Sequence, residues 1–318
     1  MFKVVKYSTT DNYNVLYPTQ KINLSKKMVK SIENENHVFV SSTPTIIELP
    51  NHEFLVNLRW VNYKLNQKGF MYGRNNVKYN NVKNLNSRFK VNHLFKPISQ
   101  EVFLKEDLTY RPHMTGVEDI RIFNFNGIHY YNATIMDSTR KLHSTTSGLY
   151  PLDEYTYELD RPLIVPTHYD IQSITIPEKN WSFVHYHNEL CVVYSWFPLQ
   201  IGKIDYTTNQ VKMIESKKMP NYFEYARGST PGYTKNNEIW FVVHKAYQKE
   251  YLHFFVIFDL NMNVLRYSEL FKFEKYKVEF CIGLIVQDTQ LILSYSVMDS
   301  QSFIATYNIN YINKLKWY

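Results

Sequence analysis

Charged and titratable side chains punctuate runs of residues that otherwise read as strand formers: Arg59, Glu118, Asp119, Arg121, Glu178, Lys179, Arg227, His244 and Asp299. A carboxyl taken out of water holds its proton near neutral pH and can then release it to a leaving oxygen. Arginine, lysine and histidine gathered in one dry place bind an oxyanion, the guanidinium through its planar fork. Proton donation beside an anion pocket is therefore the chemistry these residue types allow. No Gly-rich phosphate loop, Ser-His-Asp order, Cys-His nucleophile signature or Asp-x-Asp motif accompanies them. Neither a metal nor a cofactor is called for.

Residues so far apart in sequence need a fold that brings them together. Helical periodicity is missing, and short runs of Val, Ile, Tyr, Phe and Trp bounded by Asn, Asp, Gly or Pro recur instead. One pattern returns five times, a short strand, a tight turn and a strongly apolar strand, with turns centred near Asn51, Asn126, Asn188, Asn237 and Asp288. Self-similarity at this spacing signals a propeller. The expected fold is all-β, a five-bladed β-propeller in a single domain over 1–318, each repeat supplying the two central strands of a four-stranded blade. Segments such as Ile201 to Met213 and Leu252 to Leu265 supply outer strands. The innermost strands of a propeller converge on a central channel, which is where the charged residues would meet. Residues 1–36 are expected to close the ring with the last strand or to cap one face. The polar stretch 64–96 reads as an insertion, a long hairpin or an excursion over one face.

Composition narrows the class further. Apolar residues at 44% and charged residues at 20% suit a packed globular chain rather than a disordered one. The net charge is +7, but the lysines are scattered and form no helical stripe, so nucleic acid is not an expected partner. Cys191 and Cys281 sit in apolar runs and read as buried free thiols. No apolar stretch approaches a membrane span and no secretory leader is evident, which together imply a cytoplasmic setting. Heavy use of Asn, Lys, Ile and Tyr is what an AT-rich genome produces, as in a parasite or a large DNA virus.

The ordered motifs resemble a known family, the five-bladed propeller β-mannoside phosphorylases and hydrolases with their related mannosyltransferases. The stretches are NLRWVNY at Asn57 to Tyr63, GVEDIRI at Gly116 to Ile122, EKNWSFV at Glu178 to Val184, RGSTP at Arg227 to Pro231, FVVHK at Phe241 to Lys245 and LSYSVMDS at Leu293 to Ser300. They span roughly residues 43 to 305 in the family's order. The sequence departs from the pattern at Ile120, where the family usually has Pro, at the reduced Gly228-Ser229 segment, and at Thr43-Pro44, where relatives often have Asn-Pro.

The resemblance implies roles. Asp119 stands where the family's general acid stands. Arg59, Glu118, Arg121 and Asp299 would bind sugar, and Lys179, Arg227 and His244 would hold phosphate or another anion. Trp60, Tyr63, Trp181 and Tyr194 are candidate stacking faces, and Glu178, Glu224 and Glu279 are the carboxylates available as a base. The implied function is an inverting enzyme that forms or cleaves a glycosidic bond of a mannoside-like sugar, as glycosyltransferase, glycoside phosphorylase or hydrolase. Its partners would be an oligosaccharide or sugar with inorganic phosphate, a sugar phosphate or a nucleotide sugar. The rival from another class is a propeller that binds a glycan or protein without turnover.

Overall fold

The computed structural model describes residues 13–32, 34–69, 71–73, 81–105, 113–137, 142–152, 158–159, 162–167, 177–247 and 250–318. The expectation of an all-β chain is borne out. Helix among the described residues is confined to Ile309–Ile312 and two 3-10 turns at Pro50–His52 and Asn221–Phe223. Each of the five repeats forms an antiparallel hairpin, and each hairpin lies in a different sheet.

The first sheet runs His113–Thr115, Asn81–Val91, Phe54–Val61, Glu35–Glu48 and Lys27–Ile32, with Val102–Phe103 beside Asn81–Val91. The second holds Glu118–Phe125, Ile128–Asp137 and Leu142–Leu149. The third is built on Ser182–Tyr186, Glu189–Trp196, Leu199–Asp205 and Gln210–Lys217, with Val165–Pro166 at its edge. The fourth centres on Glu238–Tyr247 and Glu250–Asp259, with Ala226–Gly228 and Tyr233–Lys235 both pairing Glu238–Tyr247. The fifth consists of Glu279–Val286, Gln290–Val297 and Gln301–Asn308, and Gln20–Asn23 pairs with the last of these. The number of strands per sheet therefore varies, where a uniform four was expected.

Asparagine makes the turns. Asn51, Asn126, Asn188 and Asn237 all take the left-handed conformation, with φ between 51° and 66° for the asparagines of these hairpins. A short polar side chain tolerates that region at lower cost than a branched one, and the chain has only 9 glycines to use instead.

The sheets pack in cyclic order. Ile47 and Leu55 of the first meet Ile120, Ile122 and Tyr131 of the second. Phe123 of the second meets Phe183, Leu190 and Val192 of the third. Val184 and Ile201 join Phe241, Val243 and Phe254 between the third and fourth. Trp240, Val242 and Phe255 join Leu291, Leu293 and Tyr295 between the fourth and fifth. Ile285, Ile292 and Ile304 then meet Phe39, Ile46 and Leu58, returning to the first. Each fully buried side chain of this kind contributes about 1.5–3 kcal/mol, so the seams carry most of the favourable burial.

The stretch 64–96 departs from the reading as an insertion. Tyr63–Leu65 and Met71–Gly73 do form a small hairpin, but Asn81–Val91 is the third strand of the first sheet, paired with Phe54–Val61 along its length. Its polar residues are buried, not solvated: Asn84, Asn86 and Ser87 are fully covered. Residues 70 and 74–80 of this stretch, and residues 1–12 of the N-terminal segment, lie outside the described residues.

Gly116 shows how tightly the first two sheets approach. Its φ is +78°, and a Cβ there would lie 2.1 Å from the carbonyl oxygen of Asn84. Gly116→Ala should lower stability by roughly 2–4 kcal/mol, from the left-handed penalty and the backbone clash together. Urea unfolding followed by tryptophan fluorescence measures the difference.

Candidate active site

Glu118 and Asp119 are consecutive on one strand, so regular pleating would send their side chains to opposite faces. A bulge prevents this. The register with Ile128–Asp137 shifts between Glu118 and Arg121, and Asp119 takes φ +56°. Both carboxylates thereby reach one guanidinium: Arg59 Nη2 donates to Glu118 Oε1 at 3.1 Å and Nη1 donates to Asp119 Oδ1 at 2.9 Å. Left-handed backbone on a non-glycine residue costs on the order of 1 kcal/mol or more and persists where surrounding contacts hold it.

Arg59 itself is only 2% exposed. Its Nε donates to Asn84 Oδ1 at 2.9 Å and its Nη2 also donates to the Tyr63 hydroxyl at 3.2 Å. Tyr63 passes the connection on, donating to Asp299 Oδ2 at 2.8 Å. Asp299 follows the strand Gln290–Val297 in a turn where Met298 and Asp299 both have positive φ. The first, second and fifth sheets thus meet at one hydrogen-bonded cluster. Burial pushes the Asp299 carboxyl above its ordinary range, Arg59 opposes the shift and Asp119 adds to it. Glu118 goes the other way: burial raises it, but Arg59, Lys179 and His143 outweigh this and hold it at about 2.

Arg121 does not pair with the Asp119 carboxylate. Its Nε donates to the Ser229 carbonyl at 2.7 Å, its Nη1 to the Asp119 carbonyl at 3.1 Å and its Nη2 to Asn180 Oδ1 at 3.1 Å, with Phe280 against its face. It ties the second sheet to the segments that carry Lys179 and Arg227. The Asp119 side chain consequently has Oδ1 on Arg59 and no protein hydrogen bond to Oδ2 among the described residues.

On the far side of Arg121, Arg227 pairs in register with His244, and His244 Nδ1 shares a hydrogen bond of 2.8 Å with the Ser229 hydroxyl. His244 Nε2 is buried with no partner, and the ring of Tyr251 stacks on the imidazole at 5.0 Å. Burial drives this imidazole far below its ordinary basicity, and His253, Arg227, Arg121 and Lys179 push the same way. It is neutral, in the field of three cations. Lys179 and Arg227 form no ion pair or hydrogen bond among the described residues, and Arg227 is exposed.

The expected stacking faces divide. Trp60 donates Nε1 to Ser87 Oγ at 2.8 Å inside the first-sheet core, and Trp181 is 2% exposed, so both are core residues, their rings covered by neighbouring strands. Tyr63 is occupied as the link to Asp299, and Tyr194 donates to Glu178 Oε1 at 2.8 Å. Of the candidate bases, Glu279 accepts the backbone N–H groups of Phe273 and Tyr276 at 2.7 and 2.8 Å and is a turn cap. Glu224 is exposed, and Glu178 is buried beside Lys179. Asn84, Asn180, His143 and Tyr251 belong to the cluster and went unmarked in the sequence, since a lone Asn, His or Tyr in a strand carries no signal of its own. No group of three or more His, Cys, Asp or Glu among the described residues is arranged to hold a metal ion. No helix among them is long and apolar enough to cross a membrane.

No protein-family model matches the sequence, and no curated protein matches it. Solved structures do share the fold. The β-1,2-mannobiose phosphorylase from Listeria innocua superposes with a TM-score of 0.58 at 12% identity, covering 90% of this chain and 94% of that one. A glycosyl hydrolase from Bacteroides ovatus gives 0.59 at 12% identity over 94% and 92%. A GDP-Man-dependent mannosyltransferase from Leishmania mexicana gives 0.50 at 11% identity over 84% and 85%. At these identities the likeness is one of fold.

The buried histidines make stability pH-dependent. His253 lies between Phe271 and Phe273 with neither ring nitrogen hydrogen-bonded, and burial, assisted by Lys272, pushes it down to about 3. The unfolded chain takes up a proton near pH 6.5 that the folded chain refuses, so stability is lost as pH falls below that value. Each such imidazole should contribute about 1.4 kcal/mol per pH unit to the slope. His253→Phe should flatten the fall between pH 6.5 and 4, read from urea midpoints, while Glu118 adds a separate loss below about pH 4.5.

Proposed function

We propose that the chain is a carbohydrate-active enzyme on a single five-bladed β-propeller, forming or cleaving a mannoside-like glycosidic bond with inversion and using Asp119 as the general acid. The five hairpin-bearing sheets, packed in cyclic order, are the blades of this reading. The activities named for the fold's neighbours, mannobiose phosphorolysis, glycosyl hydrolysis and mannosyl transfer, support the substrate class.

The observation that carries the proposal is the state of Asp119: Oδ1 is fixed by Arg59, Oδ2 is unengaged among the described residues, and two cations without an ion pair, Lys179 and Arg227, act on the neighbouring Glu118 and His244. A proton donor needs one oxygen held and one free to reach the glycosidic oxygen. Lys179 and Arg227, with the Ser229–His244 pair behind them, form the side that receives an oxyanion. Asp299 and Glu118 then face the sugar hydroxyls. An inverting hydrolase needs a second carboxylate across the ring to activate water. Unpaired cations instead favour a phosphate-bearing reactant, which is inorganic phosphate, a sugar 1-phosphate or a nucleotide sugar.

The decisive experiment incubates the protein with mannosides plus phosphate, and with mannose 1-phosphate or GDP-mannose plus acceptor sugars, and looks for product. Binding without turnover in every combination would identify a glycan-binding module instead. With an active pair in hand, Asp119→Asn should lower turnover by roughly 100-fold to 10,000-fold. The melting temperature should fall far less than on removal of the side chain, because the amide keeps an acceptor for Arg59 and Glu118 still answers its charge. Turnover near the wild-type rate would remove Asp119 from the role.

The cationic side has its own test. Phosphate or sulfate should raise the melting temperature, since a ligand bound only to the folded chain stabilises it by mass action. Arg227→Ala should abolish most of that rise and leave the salt-free melting temperature within a degree or two, as expected for an exposed side chain. Equal anion response in both proteins would place the binding elsewhere.

A further inference from the structure

The inner strands run away from the candidate active site, and a second cavity, of about 380 Å³, opens where they end. Glu48, Asn124, His185, Thr234 and Ile285 line it, one from each sheet. Asn124 follows Asp119 on the same strand at about 16 Å, the rise of five extended residues at roughly 3.3 Å each. None of the candidate active-site residues reaches this cavity. A hollow of about 300 Å³ beside it, bounded by His187, Asn188, Leu260 and Asn261, shares His185 and Thr234 with it and leads out between the third and fourth sheets.

The walls carry one sign of charge. Glu48 is the only carboxylate on them, and no lysine or arginine lines either hollow. Glu48 Oε2 accepts from the Tyr233 hydroxyl at 3.3 Å and Oε1 from the Gln287 amide at 3.4 Å, and no cation pairs with it among the described residues. Both bonds are long for a carboxylate. The cations of the adjoining strands are already taken, Lys235 by Asp288 at 2.7 Å and Arg266 by Glu238 at 2.7 Å. A carboxylate half covered by protein and answered only by neutral dipoles gains from a counter-charge.

What the walls lack defines the occupant. An anion meets Glu48 and nothing positive, so it is turned away. A divalent metal needs several ligands, and no group of three or more His, Cys, Asp or Glu is arranged for one among the described residues. A cation that carries N–H groups fits, because it can donate to Glu48 with charge assistance and to the oxygen of Tyr233, whose own proton is committed to Glu48. Ile47, Phe123 and Leu284 offer an alkyl stem an apolar wall. The volume lies in the range of about 300–1,000 Å³ usual for small-molecule sites. We propose that this cavity binds a small organic ammonium ion, a protonated aliphatic amine, with Glu48 as its counter-charge. The site goes beyond the sugar-active reading and stands or falls without it.

The test reads the cavity directly. Ile46, Ile47, Ile122, Ile282 and Ile285 border it, so methyl NMR of the whole protein with labelled isoleucine reports its occupancy. At constant ionic strength n-butylammonium chloride should move these signals saturably, and n-butanol, with the same chain and a neutral hydroxyl, should need at least about 10-fold more for the same effect. Butyrate should leave them unmoved. Glu48→Gln keeps the shape of the side chain and should weaken n-butylammonium by at least about 10-fold without changing the response to n-butanol. The ligand-free spectrum shows whether the variant has kept its fold; if it has not, the comparison of ammonium with alcohol in the wild type decides alone. Signals that ignore n-butylammonium, or follow the alcohol as readily, overturn the site. Either result leaves the sugar-active reading to its own product screen.

Discussion

A guanidinium cannot shed its charge inside a protein, so burying Arg59 obliges the fold to answer it with acceptors. Glu118 and Asp119 supply the charge, and Asn84 and Tyr63 take the remaining directions. Removing one partner of such a buried pair typically costs about 3–5 kcal/mol, because the other is left uncompensated. Since the acceptors come from two sheets and Tyr63 reaches Asp299 on a third, the requirement of one cation ties three sheets together at once. The bulge at Asp119 is the backbone's part of this arrangement. It places two successive carboxylates on the same side, where one arginine can hold both.

Arg121 stands between two groups of charges. Glu118, Asp119 and Asp299 gather on Arg59 and Tyr63, Arg227 and a neutral His244 with its bare Nε2 lie beyond Arg121, and Lys179 acts on both Glu118 and His244. Arg121 is saturated by backbone carbonyls and Asn180, so its own positive charge is screened from neither side but claimed by no carboxylate. The left-handed backbones at Asp119, Asn180 and Asp299 lie at the points where side chains leave the regular pleat to reach this cluster.

Much of the fold was legible. The recurring short apolar runs with turns centred on Asn51, Asn126, Asn188, Asn237 and Asp288 located all five hairpins, and the polar residues singled out in the repeats include Glu118, Asp119 and Asp299, which meet around Arg59 and Tyr63, and Arg227, which pairs in register with His244. Asn81–Val91 was not legible, because its asparagines imitate a solvated loop while donating to Thr115 and Val117 carbonyls across a buried seam. Periodicity treats polar as outside, and here polar is inside. The holding role of Arg59 was likewise hidden, since it depends on a bulge that no residue type announces. Trp60 and Trp181 show the converse: an aromatic near a site is filled by its neighbours unless a strand end leaves a face open.

The pairing of Gln20–Asn23 with Gln301–Asn308 joins residues from opposite ends of the chain. Gln20 lies opposite Thr306, so this contact spans nearly the whole polypeptide. Contacts of such sequence separation form late, because the loop entropy they demand comes due before any reward. During synthesis the apolar faces of the first sheet, Phe39, Ile46 and Leu58 among them, must wait for Ile285, Ile292 and Ile304. Until the ribosome releases Gln290–Val297 and Gln301–Asn308 the apolar faces of the first sheet stay uncovered, and the nascent chain is at its most adhesive in that interval.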